Sequence, residues 1–272
     1  MKIITLALSI ILGIFSQATH QQKSDRDKAG LRGAVKTVRT EMLYFDKDGR
    51  PREEGRHLNH FTAYNEDGNT LEDEPFYAYG KASYGKRIFK YDSTGRKVED
   101  VHQLGLSTKT VTNYDEQGRI SKITEGIWIE TFFYDAEDRV KEVHRANSDG
   151  QLFHKRVHTY PLNGRIDEES IYDPEGNLET KYVTVYDDKG RVICRENGEP
   201  CKGCYYNKDI TTYDEKGNEI EFMNFNAEGL RERAVYGYEY DSTGNWIKQF
   251  LTRWHVRDGK SSAEIYRIIT YY

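Results

Sequence analysis

Cys194, Cys201 and Cys204 stand in a C-x6-C-x2-C arrangement, and thiols this close in sequence offer two chemistries. In an oxidising compartment two of them bridge and the third stays free. Alternatively three thiolates hold a tetrahedral metal with a fourth ligand brought from elsewhere. No histidine lies near them in sequence, so a disulfide is the expected reading, and the spacing leaves its pairing open. His154 and His158 share a face if they lie in a strand, and His57 and His60 lie close together in a less regular segment. Either pair could help hold a metal. Without an adjoining carboxylate pattern both read as surface histidines of a polar sheet, so no metal and no cofactor is expected. Acids such as Asp167-Glu168-Glu169 and Glu72-Asp73-Glu74 are too abundant to single out a general acid and base. No Gly-x-Ser-x-Gly elbow, phosphate loop, dinucleotide fingerprint or His-Glu-x-x-His occurs, and the chain reads as non-enzymatic.

The elements that must position these groups are set by a recurring turn. An aromatic followed by Asp or Asn, two residues and Gly occurs again and again between Phe45 and Asn245. Its clearest copies pair Asp92 with Gly95, Asp115 with Gly118, Asp173 with Gly176, Asp187 with Gly190, Asp214 with Gly217 and Asp241 with Gly244. The spelling fits a type I turn in which the carboxylate accepts its own backbone two residues on, and the glycine takes the positive φ that re-enters the next strand. In Tyr134-Asp135-Ala136-Glu137-Asp138 an Asp stands where Gly is expected, and in Tyr160-Pro161 a Pro stands where Asp is expected. The repeated Asp is thereby committed to its turn and not to catalysis.

Turns of this kind join antiparallel strands. In places the copies lie roughly a dozen residues apart, one short strand plus one turn, and no stretch sustains a helical period. Strands entering a turn alternate well, as in Tyr236-Gly237-Tyr238-Glu239-Tyr240, where the tyrosines share a face. Those leaving do not: Ile120 and Ile123, or Val140 and Val143, are three apart and fall on opposite faces unless a bulge intervenes. We read this spacing as twist or two-sided burial in a curled sheet. The expected fold is an all-β, elongated or curled antiparallel meander.

The chain carries a net charge of -5, 31% charged residues and 13% aromatics. The aromatic share argues against disorder, and an acidic balance without a basic block gives no footprint for nucleic acid. Met1-Lys2, the apolar run Ile3 to Phe15 and Ser16-Gln17-Ala18 read as a signal peptide over residues 1–18, cut near Ala18. Residues 19–30 then read as a flexible linker and 31–272 as a single β domain. No cysteine ends the apolar run and no later segment is long enough to span a bilayer, so the expectation is a secreted or periplasmic protein without a stable membrane anchor.

Tyr114 to Thr124, supported by Tyr91-Asp92-Ser93-Thr94-Gly95-Arg96 and Tyr186-Asp187-Asp188-Lys189-Gly190-Arg191, resembles the YD repeat of RHS proteins. The resemblance covers residues 45 to 250. It implies long antiparallel sheets that curl into spirals or hollow shells, in large members enclosing a toxin or displaying ligand-binding surfaces outside the cell. This chain is too short to enclose a cargo on that plan. The expected function is an interaction module at the cell envelope, binding a glycan, a wall polymer or a protein through a sheet face, with Trp128, Trp246 and Trp254 as candidate contacts. A structural envelope protein assembling through unpaired edge strands is the alternative, and an enzyme acting on an extracellular polymer a more distant one.

Overall fold

A computed structural model describes residues 24–77, 83–105, 107–161, 165–198 and 206–272. The segment read as a signal peptide, Cys201 and Cys204 lie outside the described residues. After one short helix, α1 (Asp25–Lys28), come β1 (Val35–Phe45), β2 (His57–Tyr64), β3 (Thr70–Pro75), β4 (Lys86–Tyr91), β5 (Lys97–Gln103), β6 (Thr108–Tyr114), β7 (Ile120–Glu125), β8 (Trp128–Tyr134) and β9 (Val140–Asn147). The second half adds β10 (Leu152–Thr159), β11 (Ile166–Tyr172), β12 (Leu178–Tyr186), β13 (Val192–Asn197), β14 (Asn207–Tyr213), β15 (Glu219–Asn226), β16 (Gly229–Tyr240), β17 (Trp246–His255) and β18 (Gly259–Tyr271).

Each strand pairs antiparallel with the next in sequence, and β18 returns to pair with β1 through Val38↔Ile269 and Thr40↔Arg267. The result is a closed 18-stranded up-and-down barrel. The all-β antiparallel reading holds, but the elongated or curled open sheet does not. Closure pairs the two strands that an open meander would leave as edges, so assembly through unpaired edges is removed as well.

A bulge recurs beside the tyrosine in many of the hairpins, for example between Asn113 and Tyr114, Phe133 and Tyr134, and Glu239 and Tyr240. One residue of the outgoing strand is extra, so Ile120 lies opposite Tyr114 and Ile123 opposite Thr112. Ile120 and Ile123 therefore share one face, as do Val140 and Val143. The three-residue spacing is the bulge itself, and repeating it adds the local twist that helps curl the sheet. Two-sided burial is not its cause.

Directly opposed residues share a face. Following opposed residues from Val38 through Thr62, Asp73, Arg87 and onward to Ala263, Arg267 and Thr40 returns to the starting face. The buried strand residues, among them Val35, Val38, Tyr64, Phe89, Asp100, Val143, Asn197, Asn224, Ala234 and Ala263, lie on that face. A closed sheet crowds its inner side chains and spreads its outer ones, so this face lines the lumen. The lining is polar: Glu130 sits between Arg156 at 3.0 Å and Arg145 at 3.8 Å, and Arg253 pairs with Glu232 at 2.6 Å. The outer face carries Lys181, Lys208, Arg233 and Lys248 in mid-strand, paired with Glu168, Glu196, Glu221 and Glu264. An outer face of this kind offers lipid no continuous apolar band. No helix among the described residues is long and apolar enough to cross a membrane.

The segment read as a linker is built into the fold from Ser24 onward. Ser24 and Asp27 form a capping box on α1, the Arg26 amide donates to the Gly68 carbonyl at 2.9 Å, and Leu31 packs with Val38 and Tyr64.

Candidate binding site at the tyrosine rim

In an up-and-down barrel, alternate turns fall at opposite ends. Each even-numbered strand here runs into a tyrosine at one end: Tyr64, Tyr91, Tyr114, Tyr134, Tyr160, Tyr186, Tyr213, Tyr240 and Tyr271. Where an Asp-x-x-Gly turn of described residues follows, it is held as the sequence predicts. The Asp115 carbonyl accepts from the Gly118 amide at 3.0 Å, its Oδ1 accepts from the Arg119 amide at 2.8 Å, and Gly118 has φ +82°. Asp138, standing in for Gly in the degenerate copy, takes φ 62° itself.

The residue after the glycine was given no role by the sequence, yet it links one hairpin to the next. Arg119 Nε donates to Asp115 Oδ2 at 2.8 Å while its guanidinium lies 4.4 Å from the Tyr134 ring centroid, and the Tyr134 hydroxyl donates to the Ile120 carbonyl at 2.7 Å. The same chain of contacts joins Asp92, Arg96 and Tyr114, then Asp135, Arg139 and Tyr160, then Asp187, Arg191 and Tyr213. Bonds from Thr94 and Arg96 hold the Asp92 carboxyl well below the usual carboxylate range. Burial pushes Tyr160 up to about 12, so it stays a neutral hydrogen-bond donor. The signal was in the repeat as Gly-Arg, but the stacking partner lies on the following hairpin.

Where β18 meets β1, Asn245 takes the arginine's place. Its Oδ1 accepts from the Arg32 amide at 2.7 Å and its Nδ2 donates to the Arg32 carbonyl at 2.9 Å and to the Tyr271 hydroxyl at 2.9 Å. At 2% exposure it binds the amino-terminal segment into the rim.

Between α1 and the turns after β2, β4 and β6 lies a cleft of about 800 Å³. The rings of Tyr91 and Tyr114 line it, with Lys28, Asn69, Arg96 and Gln117 beside them. Asp25 anchors its α1 wall, accepting from the Tyr91 hydroxyl at 2.6 Å and the Thr70 amide at 3.2 Å. Aromatic faces and hydrogen-bonding groups converge here, whereas the candidate tryptophans do not converge. Trp128 faces the lumen at the opposite rim beneath Arg145, Trp246 faces the lumen at the tyrosine rim, and Trp254 lies on the outer face, 40% exposed, between Arg233 and Lys260.

Two of the candidate histidines are absorbed into pairs with carboxylates. His60 meets Asp73 at 2.7 Å and His158 meets Asp167 at 3.0 Å, both in the lumen. Burial, with Arg156 and Arg145 nearby, lowers the pKa of His154. Among the described residues no group of three His, Cys, Asp or Glu side chains is placed to hold a metal. Cys194, on the outer face of β13, is a free thiol whose pKa is raised by burial.

No family model matches the sequence, and no curated protein matches it. Among solved structures, a porin-like protein from Bacteroides uniformis ATCC 8492 is similar at 13% identity over 87% of this chain and 96% of that one, with a TM-score of 0.43. TcdB2-TccC3 without its hypervariable C-terminal region is similar at 12% identity over 81% of this chain and 15% of that one, with a TM-score of 0.31. Neither likeness is close enough to carry an argument about function.

Proposed function

We propose that this protein is an exported, non-catalytic binding barrel that holds a saccharide segment of an envelope or extracellular polymer in the cleft at its tyrosine rim. The observation that carries the reading is the convergence of the Tyr91 and Tyr114 rings with the amides of Asn69 and Gln117 and the charges of Lys28 and Asp25. Rings stack on the apolar faces of sugars, while amides and charged groups bond the hydroxyls. The sequence resemblance to RHS repeats, whose members display binding surfaces outside the cell, supports the same direction, as does the leader-like amino terminus.

Isothermal titration of the purified protein against a panel of envelope polysaccharides tests it. Saturable binding is expected, weakened at least about fivefold by Gln117→Ala combined with Lys28→Ala, neither of which belongs to the tyrosine–arginine chain. No binding across the panel, or a double variant that binds like the parent, overturns the reading. A structural role has one observation in its favour, the exposed Leu104, Ile127, Leu178, Leu230 and Val256 around the opposite rim. Concentration-dependent oligomers, lost when Val256 and Ile127 are made polar, would support that role instead.

A further inference from the structure

Below the cleft, on the lumenal side of α1, lies a second cavity of about 330 Å³. Leu31, Val38 and Phe89 give it an apolar side, Thr40 and Thr62 supply hydroxyls, and Arg267 enters from β18. The Arg267 guanidinium lies 3.4 Å from the Trp246 ring centroid. Its Nε is out of contact with solvent and has no hydrogen-bond partner. Burial lowers its pKa to about 10, and it remains a cation at neutral pH.

The acids lining the same cavity are already engaged. Asp73 accepts from His60 at 2.7 Å and from the Thr62 hydroxyl at 2.9 Å, and Asp25 is held by Tyr91 and Thr70. Burial works to raise both pKa values, yet these bonds hold both carboxyls below the usual range. No ion pair of Arg267 occurs among the described residues. On α1, Arg26 Nη1 is likewise buried without a partner, and both guanidinium groups act electrostatically on Tyr64. Buried charges are normally paired, and a planar guanidinium is shaped for a carboxylate.

We infer that this cavity binds a small monocarboxylic acid, its carboxylate on Arg267, its body against Val38 and Phe89, and a hydroxyl or second oxygen within reach of Thr40. Asp25 and Asp73 fix the charge of the ligand: they tolerate a single negative charge opposite Arg267 and repel a dianion such as phosphate. The volume is at the low end for ligand pockets and excludes a polymer. The site shares Asp25 with the cleft proposed for saccharide but takes no part of Lys28, Asn69, Tyr114 or Gln117, so either can fail without the other.

Thermal unfolding and tryptophan fluorescence of the full chain, titrated with lactate and benzoate and in parallel with phosphate and sulfate, test the inference. Saturable stabilisation by at least one monocarboxylate is expected, with a change in tryptophan emission because Trp246 lies against the guanidinium. Arg267→Met should weaken it at least about tenfold while circular dichroism stays unchanged. Gln117→Ala should leave it as in the parent. Should Arg267→Met fail to fold, Thr40→Val serves instead, with a loss of about threefold expected. No response to any monocarboxylate, an equal or stronger response to phosphate or sulfate, or unchanged affinity in the folded variant used overturns the inference.

Discussion

The same turn spelling occurs at both rims of the barrel and ends up held in different ways. At the tyrosine rim Tyr114-Asp115-Glu116-Gln117-Gly118-Arg119 closes its own turn and also stacks on the next hairpin through Arg119 and Tyr134. At the opposite rim Tyr172-Asp173-Pro174-Glu175-Gly176-Asn177 closes an equivalent turn, with the Asp173 carboxylate accepting from the Asn177 amide at 2.7 Å and its side chain at 2.8 Å. There the linkage ends, because Tyr172 points outward against Lys155, away from the lumenal row. A turn is a local product of a few residues. A rim is made where the tyrosine faces inward and meets the residue after the glycine position of the preceding turn, arginine at Tyr114, Tyr134, Tyr160 and Tyr213 and asparagine at Tyr240 and Tyr271.

The largest test of this contrast is the seam. Asn245→Ala takes the side-chain partner from both the amide and the carbonyl of Arg32 at a partly buried seam, and urea unfolding should show a loss of about 2–4 kcal/mol. A loss under about 1 kcal/mol would mean that the ring closes without its asparagine.

Next come the glycines. Gly118 has φ +82° and Gly176 has φ +88°, so valine is strained at both. Only at Gly118 would the new Cβ also meet Arg96 Nη1, at 3.3 Å. Gly118→Val should fall at the upper end of about 1–3 kcal/mol and Gly176→Val at the lower end. Equal losses would show that the arginine contact adds nothing to the turn.

The tyrosines sharpen the same point. Tyr134→Phe removes the bond to the Ile120 carbonyl and should cost about 1 kcal/mol, while Tyr172→Phe should stay within about 0.5 kcal/mol. Reversed values would place the linkage at the wrong rim.

Acid gives the smallest effect per residue. The Arg191 amide and guanidinium hold the Asp187 carboxyl below the usual carboxylate range, and Asn177 does the same for Asp173. Because the folded pKa is the lower one, the stability these carboxylates contribute is fully present above the unfolded value. It is lost as pH falls through about 4 toward the folded pKa. Unfolding midpoints measured from neutral pH downward should drop in this window. The drop should shrink more in Asp187→Asn than in Asp173→Asn, since a guanidinium favours the charged form more than an amide does.

Several features were legible in advance because they depend on near neighbours. The positive φ at each turn glycine, the side-chain bonds of the turn aspartates and the single face shared by Tyr236, Tyr238 and Tyr240 follow from φ/ψ sterics and two-residue alternation. The spacing of Ile120 and Ile123 was visible but ambiguous, since a bulge and a two-faced strand give the same string of letters. The tryptophans read as one set in the sequence, although the bulge at the start of β17 sends Trp246 inward and leaves Trp254 on the outer face.

The sequence by itself determined an all-β antiparallel chain of hairpins and the residues that turn them. Tertiary structure alone decided that the sheet closes, because pairing Val38 with Ile269 requires the two ends of the chain to meet after every intervening strand has added its share of twist. It also decided which tyrosines form a rim and which residues converge on Asp25 and Arg267. Those contacts join residues far apart in the chain, as Asn245 joins Arg32, and no local pattern encodes a partner that only the curvature of the whole ring brings within reach.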